Sequence, residues 1–162
     1  MDEKNLENIY LLFSRVIKLR LCKMRDMFED LGIYPGQHGL LFALEKEEGQ
    51  SQKELAQKLN IKPATITVTI NRMKKSGLVE RKQDKNDQRV SRVYLTNQGK
   101  AVCKKVRKAM KTIDEQCFEN FSKEQQNILI ELLSQMEENL ASSCNTEECF
   151  FNNYKKNKIS EE

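Results

Sequence analysis

Tryptophan is absent from this chain, proline occurs twice and histidine once. With one histidine, no glycine-rich phosphate loop and no nucleophile beside a recognisable base, the sequence argues against an enzyme. No apolar run approaches the ~18 residues of a membrane span. The longest uncharged stretch, Leu31 to Leu44, is broken by Gly32, Pro35, Gly36 and Gly39. The opening "MDEKNLENIY" begins with acid and lacks the basic end and apolar run of a signal peptide, so a cytoplasmic protein without membrane attachment is expected. Cys22, Cys103, Cys117, Cys144 and Cys149 form an odd set with no C-x-x-C pair, which in a cytosolic chain reads as reduced thiols. Cys144 and Cys149 stand in "CNTEEC" with no second ligand pair nearby, and His38 is remote in sequence. No metal and no cofactor are expected.

What the chain does have is charge, unevenly placed. Across its 162 residues, 38% are hydrophobic and 32% charged, enough for a helical fold but lean for a large monomeric core. A lean core points to burial shared between subunits. The formal net charge of +4 conceals a net +8 in residues 51–100 and −4 in the remainder. The basic middle third suggests a polyanion partner, although Lys-rich helices are also simply soluble.

Apolar residues Leu6, Tyr10, Phe13, Ile17, Leu21, Met24, Phe28 and Leu31 recur at helical spacing and predict one long helix over 5–31. A second stripe (Ile9, Leu12, Val16, Leu19, Met27) runs beside the first. One stripe suffices to dock a surface helix, so two predict a helix covered on two sides, with a partner subunit the economical second cover. A helix over 35–48 follows, with Pro35 in its first turn and Gly49 as its stop. "SQKE" at 51–54 is a capping box for a short helix carrying Leu55, Ala56 and Leu59 inward. "NIKP" turns into a helix from Pro63 to about Lys75, ended by Gly77. "LVERK" and "SRVYLT" then flank a polar tip and read as a β-hairpin. Helix resumes near Thr96, with Val102, Val106, Met110, Ile113 and Cys117 in phase. "SKEQ" at 122–125 opens a last helix carrying Leu129, Leu132, Met136 and Leu140. Residues 146–162 form a polar tail, interrupted by Phe150 and Phe151.

Two short helices joined by a tight turn and followed at once by a hairpin make a winged helix-turn-helix. The fold class is therefore mainly α with a small β-hairpin wing. The second helix of such a motif lays its N-terminal half in a DNA major groove. In "KPATITVTINRMKKSGL", Ile66, Ile70 and Met73 fall on one face and should pack inward. Thr65, Thr67, Val68, Asn71 and Arg72 then point elsewhere, and each can touch base edges or phosphate. A merely solvated face would favour Glu, Lys or Ala over Thr and Val. Ser51 and Gln52 at the start of the preceding helix join this candidate set. A hairpin in this position lies over the neighbouring minor groove, whose negative potential attracts Arg89. Arg81, Lys82, Lys85 and Arg92 are available to phosphates. Two acids stand in this basic tip. Asp87 can pair with the Arg89 guanidinium and fix its direction; Asp84, beside Asn86, reads as a turn former.

These motifs resemble the multiple-antibiotic-resistance regulators, the MarR family, over about residues 5–142. The wing carries the resemblance best: "GLVER", "DKNDQRVSRVYLT" and "NQG". The family's Asp-x-Arg falls on Asp87 and Arg89, and its Leu-Thr-x-x-Gly on Leu95, Thr96 and Gly99. "SQKELAQKLNIKPATIT" matches the helix-turn-helix. The resemblance implies a homodimer with interlocking N- and C-terminal helices, a palindromic double-stranded operator and often a small phenolic or lipophilic effector. It implies one domain over 1–145, with dimerisation helices in 1–34 and 101–145 and the winged helix-turn-helix in 35–100. It also makes Phe13, Ile17 and His38 the candidate effector-lining residues. There are departures. Lys62 replaces a usual capping Ser or Thr, Val68 stands where an Arg or polar residue is common, and His38 replaces an aromatic. The peroxide-sensing branch carries its reactive Cys at the position of Leu12, ten residues before Cys22.

The leading expectation is thus a dimeric DNA-binding transcription regulator, a repressor released by a small molecule. The competing one is a thiol-based redox regulator using Cys22, Cys103 or the Cys144/Cys149 pair. A third is a nucleic-acid-binding adaptor with no effector and no apolar pocket beside the first helix.

Overall fold

The computed structural model describes residues 3–34 and 36–143. They divide into two units, one ending at Cys117 and one starting at Phe118. The first unit holds α1 (Glu3–Glu29), α2 (Gln37–Lys46), β1 (Gln50–Ser51), α3 (Gln52–Leu59), α4 (Pro63–Lys75), β2 (Val79–Gln83), β3 (Ser91–Leu95) and α5 (Asn97–Cys117). The second holds α6 (Lys123–Ser143).

Three helices end by one device. After α1, Gly32 is left-handed and the Ile33 amide donates to Phe28 O at 2.9 Å. After α3, left-handed Asn60 is followed by Ile61 N–H to Ala56 O at 3.0 Å. After α4, Gly77 at φ 72 is followed by Leu78 N–H to Met73 O at 2.9 Å. Each six-residue closure satisfies an orphan carbonyl and turns an apolar residue (Ile33, Ile61, Leu78) back onto the core. The starts are equally local. Ser51 Oγ accepts the Glu54 amide at 3.2 Å while Glu54 Oε2 accepts the Ser51 amide at 2.6 Å, the expected capping box. Ser122 and Gln125 close a second one before α6. As the sequence suggested, α4 has no side-chain cap at Lys62 and starts on Pro63 instead.

The sheet has three strands, not the expected two. Its order is β1-β3-β2, all antiparallel, with Val79 opposite Leu95, Arg81 opposite Val93 and Gln50 opposite Val93 on the far side. β1 is two residues long, too short for alternation to mark it in the sequence. α2 is also shorter than expected and begins after left-handed Gly36 rather than at Pro35, which lies outside the described residues.

One core joins these pieces. Ile66, Ile70 and Met73 of α4 pack with Leu55 of α3, Leu40, Leu41 and Leu44 of α2, Val79, Val93 and Leu95 of the sheet, and Cys103, Val106 and Ile113 of α5. Met24 and Phe28 bring only the C-terminal end of α1 into it. The glycine of "LTNQG" has a packing reason: a Cβ on Gly99 would sit 2.0 Å from Leu78 O. That carbonyl accepts the Thr96 amide at 3.1 Å, and Thr96 Oγ1 accepts the Gly99 amide at 3.0 Å. The wing is thereby welded to the start of α5. That helix then runs unbroken through residue 100, where the winged motif was expected to end.

By contrast, Ile9, Leu12, Val16 and Leu19 of α1 are 50–64% exposed. No described residue of α6 is buried, and Ile130, Leu132 and Leu140 are more than half exposed. No helix among the described residues is long and apolar enough to cross a membrane.

Candidate nucleic-acid interface

The burial of Ile66, Ile70 and Met73 decides what α4 presents outward. Thr65, Val68, Asn71 and Arg72 are exposed, and Thr67 is half-buried. Thr67 Oγ1 lies 2.9 Å from Pro63 O and 3.0 Å from Gln52 Oε1, so it ties the first residue of α3 to the first turn of α4. Thr69 spends its hydroxyl on Thr65 O. Both candidates at the start of α3 are half-buried and engaged, Ser51 in the capping box and Gln52 with Thr67.

At the wing Asp84 is the turn former read from the sequence, but it, and not Asp87, is the acid that also holds a guanidinium. Asp87 Oδ1 accepts the backbone amide of Arg89 at 2.9 Å, which is a turn bond. Among the described residues no carboxylate pairs with the Arg89 guanidinium. Asp84 accepts the amides of Asn86 at 2.8 Å and Asp87 at 3.1 Å, and also the Nε–H of Arg92. Arg92 holds the Asp84 carboxyl down, with help from the two amides, to a pKa of about 2. Arg92 is thus engaged inside the protein: Nη1 donates to Gly49 O at 2.8 Å and lies 3.8 Å from Glu54 Oε2. Sequence spacing favoured the Asp-x-Arg neighbours. The eight-residue separation of Asp84 and Arg92 becomes a contact only because the hairpin folds back on itself.

The remaining wing residues divide. Lys85 and Arg89 are exposed at the tip. Lys82 pairs with Glu80 at 2.7 Å and lies over the Tyr94 ring. Arg81 is half-buried opposite Val93, and its Nε and Nη2 find no hydrogen-bond partner among the described residues. Exposed cations therefore stand on α4 at Arg72 and on the wing tip at Lys85 and Arg89.

Phe13 and Ile17 are exposed on α1, one helical face with Arg20 by their i, i+4, i+7 spacing. His38 is half-buried, its ring 5.3 Å from Phe28 and 6.2 Å from Phe42, and its Nδ1 has no hydrogen-bond partner among the described residues. Burial, and then the Arg20 charge, lower its pKa. Arg20 itself pairs with Asp114 of α5 at 2.9 Å. A cavity of about 190 Å³ between α1 and α5 takes its walls from Val16, Leu19, Arg20, Ile113 and Cys117 rather than from Phe13, Ile17 or His38. Cys22 and Cys117 are exposed. Cys103 is buried, and burial with the nearby Glu45 carboxylate pushes its thiol up to about 11. Cys144 and Cys149 lie outside the described residues.

The MarR family model matches residues 33–91, from four residues before α2 to the first residue of β3. The chain is 29% identical over 109 residues to the uncharacterized HTH-type transcriptional regulator YdgJ of Bacillus subtilis, covering 67% of this chain and 66% of that relative's length. It is 27% identical over 143 residues to the HTH-type transcriptional repressor YetL of the same species, 87% of this chain and 85% of the relative. Among solved structures, a putative MarR-like transcription regulator from Bacillus cereus superposes with a TM-score of 0.72 at 28% identity, covering 85% of this chain and 99% of that one. Apo MarR of E. coli, at 22% identity and a TM-score of 0.65 over 77% of this chain and 93% of that one, shares the fold. The capped helix pair and most of the wing thus lie on the segment that matches the MarR family model, and the fold is that of winged helix-turn-helix structures such as the MarR-like regulator of Bacillus cereus.

Proposed function

We propose that the protein is a homodimeric repressor that binds a palindromic DNA operator and is released from it by a small phenolic or lipophilic effector. The observation that carries this reading is the pairing of two surfaces. α4 shows Thr65, Val68, Asn71 and Arg72 to solvent beside a wing tip with Lys85 and Arg89 uncovered. These side chains suit base edges in a major groove and the potential of the adjacent minor groove. Two half-sites about 34–36 Å apart require two linked winged motifs. The apolar faces of α1 and α6 left bare in one chain are the means of linking them. Arg20, on the α1 face with Phe13 and Ile17 and with its charge felt at His38, already holds the Asp114 carboxylate, and a phenolate or carboxylate effector would compete for that place. The Cys103 thiol, buried and with its pKa raised, makes a poor sensor, so the thiol alternative rests among the described cysteines on Cys22 and Cys117.

The test begins with selection of tight-binding duplexes from a random pool, followed by titration at several salt concentrations. The selected sites are expected to be palindromic. If ~6–10 phosphates are neutralised, affinity drops about 10³–10⁵ between 50 and 200 mM salt. Substituted phenols should then displace the duplex, with no change on adding peroxide. A selection that yields no preferred duplex, or a flat salt response, overturns the DNA-binding reading. Release by peroxide alone moves the effector role to a thiol.

A further inference from the structure

The Arg92 guanidinium joins three separate parts of the winged motif. Its Nε–H donates to Asp84 at the base of the wing tip, where the Asp84 side chain is only 9% exposed. Its Nη1 donates to Gly49 O at 2.8 Å, in the turn before β1. The same Nη1 is 3.8 Å from Glu54 Oε2, the carboxylate oxygen that takes the Ser51 amide at 2.6 Å in the α3 capping box. The strand register supports this placement, because Arg92 lies directly opposite Ser51 between β3 and β1. Asp84 in turn organises the tip backbone through the Asn86 and Asp87 amides, and its own amide donates to Val90 O at 2.9 Å. One planar fork therefore connects the wing tip to the N-terminus of α3. Lysine could not do this, since its ammonium is a single point with no fixed fork.

We propose that Asp84 and Arg92 are positioning residues, a latch that holds the wing tip, with Lys85 and Arg89, at a set attitude to α3 and α4, and that Arg92 makes no phosphate contact. This rests on the DNA-binding reading above and adds to it a division of labour among the wing arginines. Arg89 meets the nucleic acid; Arg92 aims it.

The latch and the phosphate contact predict opposite behaviour. Asp84→Asn removes an anion from a surface facing DNA, which by charge alone should tighten binding. Asparagine keeps a carbonyl oxygen for the Asn86 and Asp87 amides, so the variant leaves the turn and weakens only the pairing with Arg92. Operator affinity is expected to fall about three- to tenfold, the loss of a charge-assisted hydrogen bond discounted for partial exposure. Arg92→Gln should lose a similar amount with an unchanged slope of affinity against salt. Lys85→Gln and Arg89→Gln should each flatten that slope by about 0.9. Arg92→Lys retains the charge and should be no better than Arg92→Gln. The Asp84→Asn, Arg92→Gln double variant should match the worse single variant, because the two act as one unit.

A readout without DNA separates this proposal from the one beneath it. In the free full-length protein the Arg92 Nε–H should exchange slowly with solvent by NMR and become fast in Asp84→Asn, with the melting temperature recorded as a folding control. Slow exchange in a protein that binds no duplex would leave the latch and remove the DNA reading. Tighter binding by Asp84→Asn, a flattened salt slope in Arg92→Gln, full rescue by Arg92→Lys or fast Nε–H exchange in the wild-type chain would each overturn the latch.

Discussion

Ile70 of α4 and Leu19 of α1 are apolar residues in helices of similar regularity, yet Ile70 is 0% exposed and Leu19 64%. The contrast extends over whole regions. The winged motif closes on itself: α4, α3, α2 and the sheet cover one another's apolar faces and share a single core. α1 contributes its last turns to that core and leaves the rest of both its stripes bare. Periodicity therefore shows which face of a helix seeks cover, and says nothing of whether the cover comes from the same chain. If α1 and α6 are covered by a second copy, damage to the two regions should separate: one should lose assembly and the other the fold.

The largest effect is expected on the open side. Leu12→Glu with Leu19→Glu removes two apolar side chains per copy, four per dimer, each contributing about 1.5–3 kcal/mol when buried. Dimer dissociation should rise by more than about 10³-fold, taking operator binding with it. Sedimentation should reveal a monomer whose winged motif stays folded by NMR. A double variant that remains dimeric would remove α1 from the interface.

On the closed side the reverse is expected from Gly99→Ala. Its methyl meets a backbone carbonyl that cannot step aside, because Leu78 O already holds the Thr96 amide. Destabilisation should reach or pass the ~3 kcal/mol upper end usual for overpacked sites. Denaturant unfolding would measure it, and a cost under about 1 kcal/mol would mean that the weld between wing and α5 is loose.

Within the winged motif, exposed residues should affect choice of sequence rather than stability. Asn71→Ala should cost about 1–3 kcal/mol of discrimination at one operator position while leaving binding to random duplex unchanged. Equal losses on both duplexes would make Asn71 a backbone contact. Asp87→Asn should do less still. Asparagine can accept the Arg89 amide as aspartate does, so affinity should hold or rise by no more than about threefold. A clear loss would restore Asp87 as the residue that directs Arg89 and contradict the division of labour between the two acids.

The smallest effect is an expected absence. The folded pKa of Asp84 is depressed from 3.8 to about 2, so its pairing contributes fully above the unfolded value and is lost only as pH falls through the folded one. Protection of the Arg92 Nε–H should be constant from about pH 8 to pH 5 and disappear in strong acid. A change near neutrality would mean that a different group controls the wing.

The turns that close α1, α3 and α4, both capping boxes, the inward face of α4 and the hairpin were legible because each depends on residues near one another in sequence. Ser51 and Glu54, or Met73 and Leu78, meet in any chain that forms that turn. The third strand was not legible, because Gln50 and Ser51 acquire a strand identity only from Val93 and Arg92, some forty residues away. The pairing at the wing failed for the same reason. Sequence proximity favoured Asp87 with Arg89, but a two-residue separation at a tight turn brings a carboxylate to the backbone amide. The folded hairpin brings Asp84 to the guanidinium of a different residue, Arg92. By itself, then, the sequence determined the local events: the capping boxes, the glycine and asparagine stops of α1, α3 and α4, which side of α4 is apolar, and that the basic charge gathers around it. Only tertiary structure decided which arginine is free and which is held, and which apolar stripes the chain can cover unaided. Those outcomes turn on groups distant in sequence meeting at hydrogen-bond range, which short-range spacing does not encode.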